Sequence, residues 1–177
     1  TQSHPGGFMN LHSASTKEVE VAVMTGQATA GIALYAQGQA PLGCRPLVAE
    51  ASFLFCGSRH PLFHMPEEDI TLDVLTSHSM VSVADAATSD RWEEIRPLFT
   101  YRAKADKVDA RALLILSGSY MGFLPEVFAA PLVAQGLLRR IVFNDLRLIT
   151  CCHFLARTSP ETSLMVETFR TLLEASY

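Results

Sequence analysis

The sequence lacks a cysteine framework. Four cysteines among 177 residues, with no Cys-x-x-Cys pair, are too few for a disulfide scaffold and wrongly spaced for a zinc ribbon. Cys151 and Cys152 are adjacent inside the apolar run from Leu148 to Leu155. Neighbours on a strand point to opposite faces, so a bridge between them is strained. They read as reduced core thiols, which points to a cytoplasmic protein. No apolar run approaches the roughly 20 residues of a membrane helix, so no membrane role is expected. Basic clusters are missing too. No more than two Lys or Arg are adjacent (Arg139-Arg140), and the net charge is −4. A nucleic-acid module usually presents a basic face, because neutralising phosphates supplies much of its affinity. Low complexity and disorder are excluded by 49% hydrophobic against 18% charged residues.

What is present is strand and helix in alternation. Phe8 to His12 alternates apolar and polar residues, a short strand. Ser15 or Thr16 supplies N-cap chemistry, and Val19, Ala22 and Val23 make one face of a helix that stops at Gly26. Ala30 to Tyr35 is the next strand, Gln37 to Pro46 a loop, and Leu47 to Cys56 a longer strand. Gly57 to Leu62 reads as a crossing between two lobes. Further segments follow: helix 70–75, strand 79–84, helix 88–95, strand 99–105, a helix over 108–117 apolar almost all round and so buried, and strand 121–124. A helix over 126–135 is interrupted by Pro131, and strands over 141–143 and 146–156 precede a last helix capped by Ser159. Alternation of this kind predicts an α/β fold with mainly parallel sheets.

Residue chemistry supports no enzyme. Cys56-Gly-Ser-Arg-His60 gathers a thiol and an imidazole, but neighbours in an extended segment rarely meet as a nucleophile pair. His60 reads instead as a local hydrogen-bond partner at a strand end. The six histidines are scattered without metal-ligand spacing, so neither metal nor cofactor is expected. Gly118 to Pro125 is strongly patterned yet matches no nucleotide-binding glycine motif. The informative feature is positional. Ser15-Thr16 sits where a helix begins, and Ala84-Asp85 follows the carboxyl end of a strand. Ligands of open α/β sheets collect at such places, and helix N-termini attract anions.

Five segments, in order, resemble the effector-binding domain of LysR-type transcriptional regulators. Ser15-Thr16 through Val19, Val23, Gly26 and Gly31-Ile32 is similar to that family's cap, helix and "G-E-L-D-x-G-I" strand, with Thr29 where the Asp is frequent. Phe53 to Leu62 resembles its strand into "H-P-L", and Ile70 to Leu75 its "I-x-L-x-D-L" helix. Leu116 to Pro125 resembles "V-x-A-G-x-G-I-G-x-L-P", with Tyr120 at a position that is often small. Val133 to Leu138 resembles "V-x-x-G-x-L".

The resemblance implies two Rossmann-like lobes of periplasmic-binding-protein type joined by two crossing strands. Residues 1–60 with 149–177 form the first lobe and 61–148 the second. It implies a small-molecule effector between them, met by Ser15 and Thr16 from one lobe and by Val83, Ala84 and Asp85 from the other, with Gly122 and Phe123 lining the cleft. It implies a homodimer or homotetramer. DNA is touched only through an N-terminal winged helix-turn-helix that lies outside this chain, as do the first strand and helix of the first lobe. A periplasmic-type solute-binding protein for transport is the alternative.

Overall fold

The computed structural model describes residues 8–34, 42–82, 90–158 and 164–175, the side chains of 90–92 and 165 excepted. Through them run α1 (Thr16–Thr25), β1 (Ala30–Leu34), β2 (Leu42–Gly57), α2 (Leu72–Thr76), β3 (Ser79–Ser82) and α3 (Asp90–Ile95). Next come β4 (Thr100–Lys104), α4 (Val108–Leu116), β5 (Met121–Pro125), α5 (Glu126–Ala134), β6 (Leu138–Arg140), β7 (Arg147–Arg157) and α6 (Leu164–Glu174).

Two long strands carry the architecture. β2 and β7 pair antiparallel from Leu42↔Arg157 to Phe53↔Arg147. The register shifts between Pro46 and Val48, and such a bulge is where a strand tolerates a residue without an N–H. β1 joins one end, pairing with β7 from Ala30↔Ala156 to Leu34↔Cys152. β5 joins the other end, pairing with β2 from Ser52↔Pro125 to Cys56↔Met121. β3 lies parallel to β5, and β4 parallel to β3. β6 takes the place beside β2 that β7 vacates, at Phe55 to Gly57.

The pairing is therefore mixed, with parallel strands only at β3, β4 and β5, where mainly parallel sheets are expected from the alternation. Alternation reports the crossovers inside a lobe. It does not report the pairing of the two longest strands, β2 and β7, which run in opposite directions. Gly57 to Leu62, expected as a crossing between lobes, runs through a turn into the 3-10 turn Pro61–His64. It lies at the far end of β2, packed on α4 so closely that a Cβ on Gly57 would lie 2.4 Å from the Ile115 carbonyl oxygen. Phe8 to His12 is not a strand: it pairs with no described residue, and Phe8 is 94% exposed. The strand expected over 141–143 lies at β6 instead. α4 is not buried all round, since Leu113 is 71% exposed.

Three apolar clusters flank the sheet. Val23, Ala33, Leu42 and Leu155 form one, under α1. Phe53, Phe55, Val81, Ala112, Ile115 and Leu124 centre the second, under α4 and α5. Leu54, Cys56, Leu62, Leu75, Met80 and Phe123 centre the third, on the opposite face. Each fully buried Leu, such as Leu54 or Leu155, contributes about 1.5–3 kcal/mol. Phe53 to Cys56 thus pack with elements from the 61–148 segment.

Candidate functional site

Strand pairing locates a waist. Among the described residues β1 reaches Leu34, opposite Cys152, and β5 ends at Pro125, opposite Ser52. Between these limits lie only Ala49↔Cys151, Glu50↔Thr150 and Ala51↔Ile149. Among the described residues the sheet is two strands wide at those three pairs. The carboxyl ends of β1 and β5 face the waist from opposite sides, and those of the parallel strands β3 and β4, Ser82 and Lys104, follow β5.

The helices before β1 and β5 also begin at the waist. α1 packs on the face that carries Gly31, Ala33 and Leu155, and a Cβ on Gly31 would meet the Val19 side chain at 2.5 Å. α4 packs on the face that carries Phe55 and Gly122. Opposed residues of a ladder share a face, and alternate residues along a strand do too. By that rule α1 and α4 lie on one face, and Ala49, Ala51, Ile149 and Cys151 form the floor between their N-termini. The floor is open: Ala49 and Cys151 are exposed, and Ile149 is 44% exposed. Among the described residues one hydrogen bond spans it, Lys107 Nζ donating to the Ser13 carbonyl at 3.0 Å. Lys107 is the N-cap residue of α4 and Ser13 precedes α1.

Ser15 and Thr16 do stand at this waist. Ser15 is the N-cap of α1 and closes a capping box with Glu18. The Ser15 amide and hydroxyl donate to Glu18 Oε2 at 2.8 and 2.7 Å, and the Glu18 amide donates back to the hydroxyl at 3.4 Å. These bonds hold the Glu18 carboxyl below its ordinary value, with Lys107 adding to the effect. Thr16 is not the cap; its hydroxyl donates to the Leu34 carbonyl at 3.2 Å, pinning α1 to the carboxyl end of β1. Gly122 and Phe123 sit deeper. A Cβ on Gly122 would meet Ile115 Cδ1 at 3.1 Å, and Phe123 is 1% exposed in the core of the opposite face. β5 is covered on both faces, so its side chains back the site and do not line it. Val83, Ala84 and Asp85 lie outside the described residues.

Sequence reasoning missed Lys107, Arg111 and the floor. Arg111 is readable in principle, as a lone cation in the apolar helix Val108–Leu116. The floor depends on register, which no local pattern reveals.

Other groups behave as structure. Burial pushes the Cys56 thiol up to about 11, far from a thiolate nucleophile. His60 is brought down to about 4 by burial and by His78, whose ring centroid is 4.8 Å away. The His60 Nδ1 accepts from the Leu62 amide at 3.2 Å, capping the turn at Pro61–His64. Among the described residues no group of three His, Cys, Asp or Glu is placed to hold a metal, and no helix is long and apolar enough to cross a membrane. A cavity of about 100 Å³ lies between β2, β7 and α6, near Arg45, Phe154 and Arg170. It is small beside the roughly 300–1,000 Å³ of most ligand sites.

Comparison with known proteins adds to this geometry. The family model described as LysR substrate binding domain matches residues 1–177. The chain is 25% identical over 161 residues to the HTH-type transcriptional activator BauR of Pseudomonas aeruginosa, which takes in 91% of this chain and 52% of that protein. It thus spans about half the length of the curated relative it matches. The apo regulatory domain of HypT from Salmonella typhimurium superposes with a TM-score of 0.73 at 14% identity, over 99% of this chain and 87% of that one. Full-length LysG from Corynebacterium glutamicum, solved with bound effector Arg, superposes with a TM-score of 0.63 at 17% identity, over 98% of this chain and 60% of that one. At these identities the superpositions speak to the fold. They show the α/β, periplasmic-binding-protein-like fold of LysR regulatory domains.

Proposed function

The chain belongs to the LysR substrate binding domain family, and from that membership we propose that it is the effector-sensing part of a transcription regulator. A small molecule enters the waist, and the resulting change passes to a DNA-binding segment that is not in this chain. The observation that carries the reading is the convergence of strand carboxyl ends and two helix N-termini on a stretch that is two strands wide among the described residues. Ligands of open α/β sheets gather at such ends, and a narrow connection lets two bodies change their relative angle at low cost.

In this reading 1–60 with 149–177 and 61–148 are the two lobes, and the cores favour giving Phe53 to Cys56 to the second. Ser15 and Thr16 line the cleft from the first lobe and Val83, Ala84 and Asp85 from the second, with Gly122 and Phe123 as backing. Signalling is a population shift: an effector that binds one lobe arrangement better biases the assembly toward it. The assembly is a homodimer or homotetramer working in the cytoplasm, and no covalent chemistry is needed. BauR is a transcriptional activator and LysG was solved with an effector, and both precedents support this reading. Nothing in the family match supports the transport alternative.

A thermal-shift screen of metabolites on the 177-residue chain tests it. An effector at 100 times its Kd adds about 2.7 kcal/mol of stability and raises Tm. A broad panel with no shift contradicts the reading.

A further inference from the structure

We infer that the effector carries a compact oxyanion, a carboxylate or a phosphate, and that the guanidinium of Arg111 receives it. The inference rests on reading the waist as the effector site and names the chemistry of that effector. Arg111 is 6% exposed, on the sheet-facing side of α4 beside Ala112 and Ile115. Its Nε has no hydrogen-bond partner, and among the described residues its side chain makes no ion pair. A buried guanidinium without a carboxylate is costly, because nothing offsets its lost hydration. Such a group is retained where a partner arrives from outside.

The fold aims this one at the waist. Arg111 stands one turn inside α4, its amide bonded to the Lys107 carbonyl. Helical side chains lean toward the helix N-terminus, and the α4 N-terminus is at the waist. The surroundings favour negative charge. Lys107 reaches across to Ser13, and α1 and α4 bring the positive ends of their dipoles there. Among the described residues, carboxylates near the α1 and α4 starts are engaged: Glu18 with Ser15, Asp109 with the Ala110 amide at 2.8 Å, and Asp106 with Lys104 at 3.6 Å. A guanidinium fork matches a carboxylate or phosphate with two parallel hydrogen bonds.

The test compares the 177-residue chain with Arg111→Met and Arg111→Lys by thermal shift and calorimetric titration at constant ionic strength. The probes are acetate, succinate and glutarate; inorganic phosphate and glycerol phosphate; and the neutral amides of the same acids. The inference predicts that at least one oxyanion raises the wild-type Tm and its matching amide does not. Its Kd should weaken tenfold or more in Arg111→Met, with Arg111→Lys between. The two oxyanion arms distinguish carboxylate from phosphate. Unliganded Arg111→Met should melt a few degrees higher, since a buried charge without a partner among the described residues is gone. Equal oxyanion affinity in Arg111→Met overturns the inference, as does a lower Tm for the unliganded variant, which marks an internal partner. So does a wild-type chain that no oxyanion shifts. If neutral ligands bind and Arg111→Met leaves them unchanged, the effector site stands and the anion is removed.

Discussion

His60 shows how one side chain can matter for stability without touching the site. Its ring is buried, and its Nδ1 accepts the Leu62 amide, so the folded chain needs it neutral. Its ordinary value of 6.5 falls to about 4 on folding. Above 6.5 both states are neutral, and the folded chain holds its full stability. As pH drops from there toward 4 the unfolded chain takes up a proton that the folded one refuses, at a cost on the order of 3 kcal/mol in total. Melting curves should therefore show Tm falling through that window, and His60→Gln should flatten the fall. A parallel decline in both proteins contradicts the assignment. Ser15 works at the same scale. Ser15→Ala removes the capping box and should lower stability by about 1 kcal/mol, read by denaturant unfolding, and an unchanged midpoint would falsify it. The Ser-x-x-Glu signature from Ser15 to Glu18 is legible in the sequence, although the hydroxyls of Ser15 and Thr16 look interchangeable there. What separates them is the Leu34 carbonyl, which sequence cannot bring near.

Glycines set the spacing between helices and sheet. A Cβ on Gly57 would strike α4 backbone, at 2.4 Å from the Ile115 carbonyl oxygen, whereas a Cβ on Gly122 would meet side chains, Ile115 Cδ1 at 3.1 Å and Val81 Cβ at 3.5 Å. Side chains yield more readily than backbone, so Gly57→Ala should cost about 1–3 kcal/mol and Gly122→Ala clearly less. Urea unfolding of the two variants side by side decides it; the reverse ranking contradicts the packing account. Hydrophobic pattern reveals most elements of this chain: α1, β1 and α4 each bury one face, and β5 reads as a short apolar run because both its faces are covered. It does not reveal partners. Phe8 to His12 alternates like a strand and pairs with nothing described, while Pro46 looks like a loop residue and sits inside β2. A bulge absorbs that proline, and bulges follow from the neighbouring strand.

At the scale of the molecule the two crossing strands matter most. Alternating strands and helices suggest parallel sheets, yet β2 and β7, the longest pair, are antiparallel. The resemblance carried by Phe53 to Leu62 and Leu116 to Pro125 names the family, and Ser15 and Thr16 stand at the start of α1, Thr16 bonded to the Leu34 carbonyl. Phe123 does not reach it, since β5 is covered on both faces. The floor, Ala49, Ala51, Ile149 and Cys151, emerges only from register. Cys151 gives direct access to it. Its thiol is exposed on the floor, whereas Cys56 is buried and Cys44 and Cys152 are partly covered. The measurement is the alkylation rate of Cys151 by iodoacetamide, followed by peptide mass spectrometry, with and without a metabolite that raises Tm. An effector bound at the waist slows modification of Cys151 severalfold. A ligand that stabilises the chain while leaving that rate unchanged binds elsewhere, and the waist is then not the effector site.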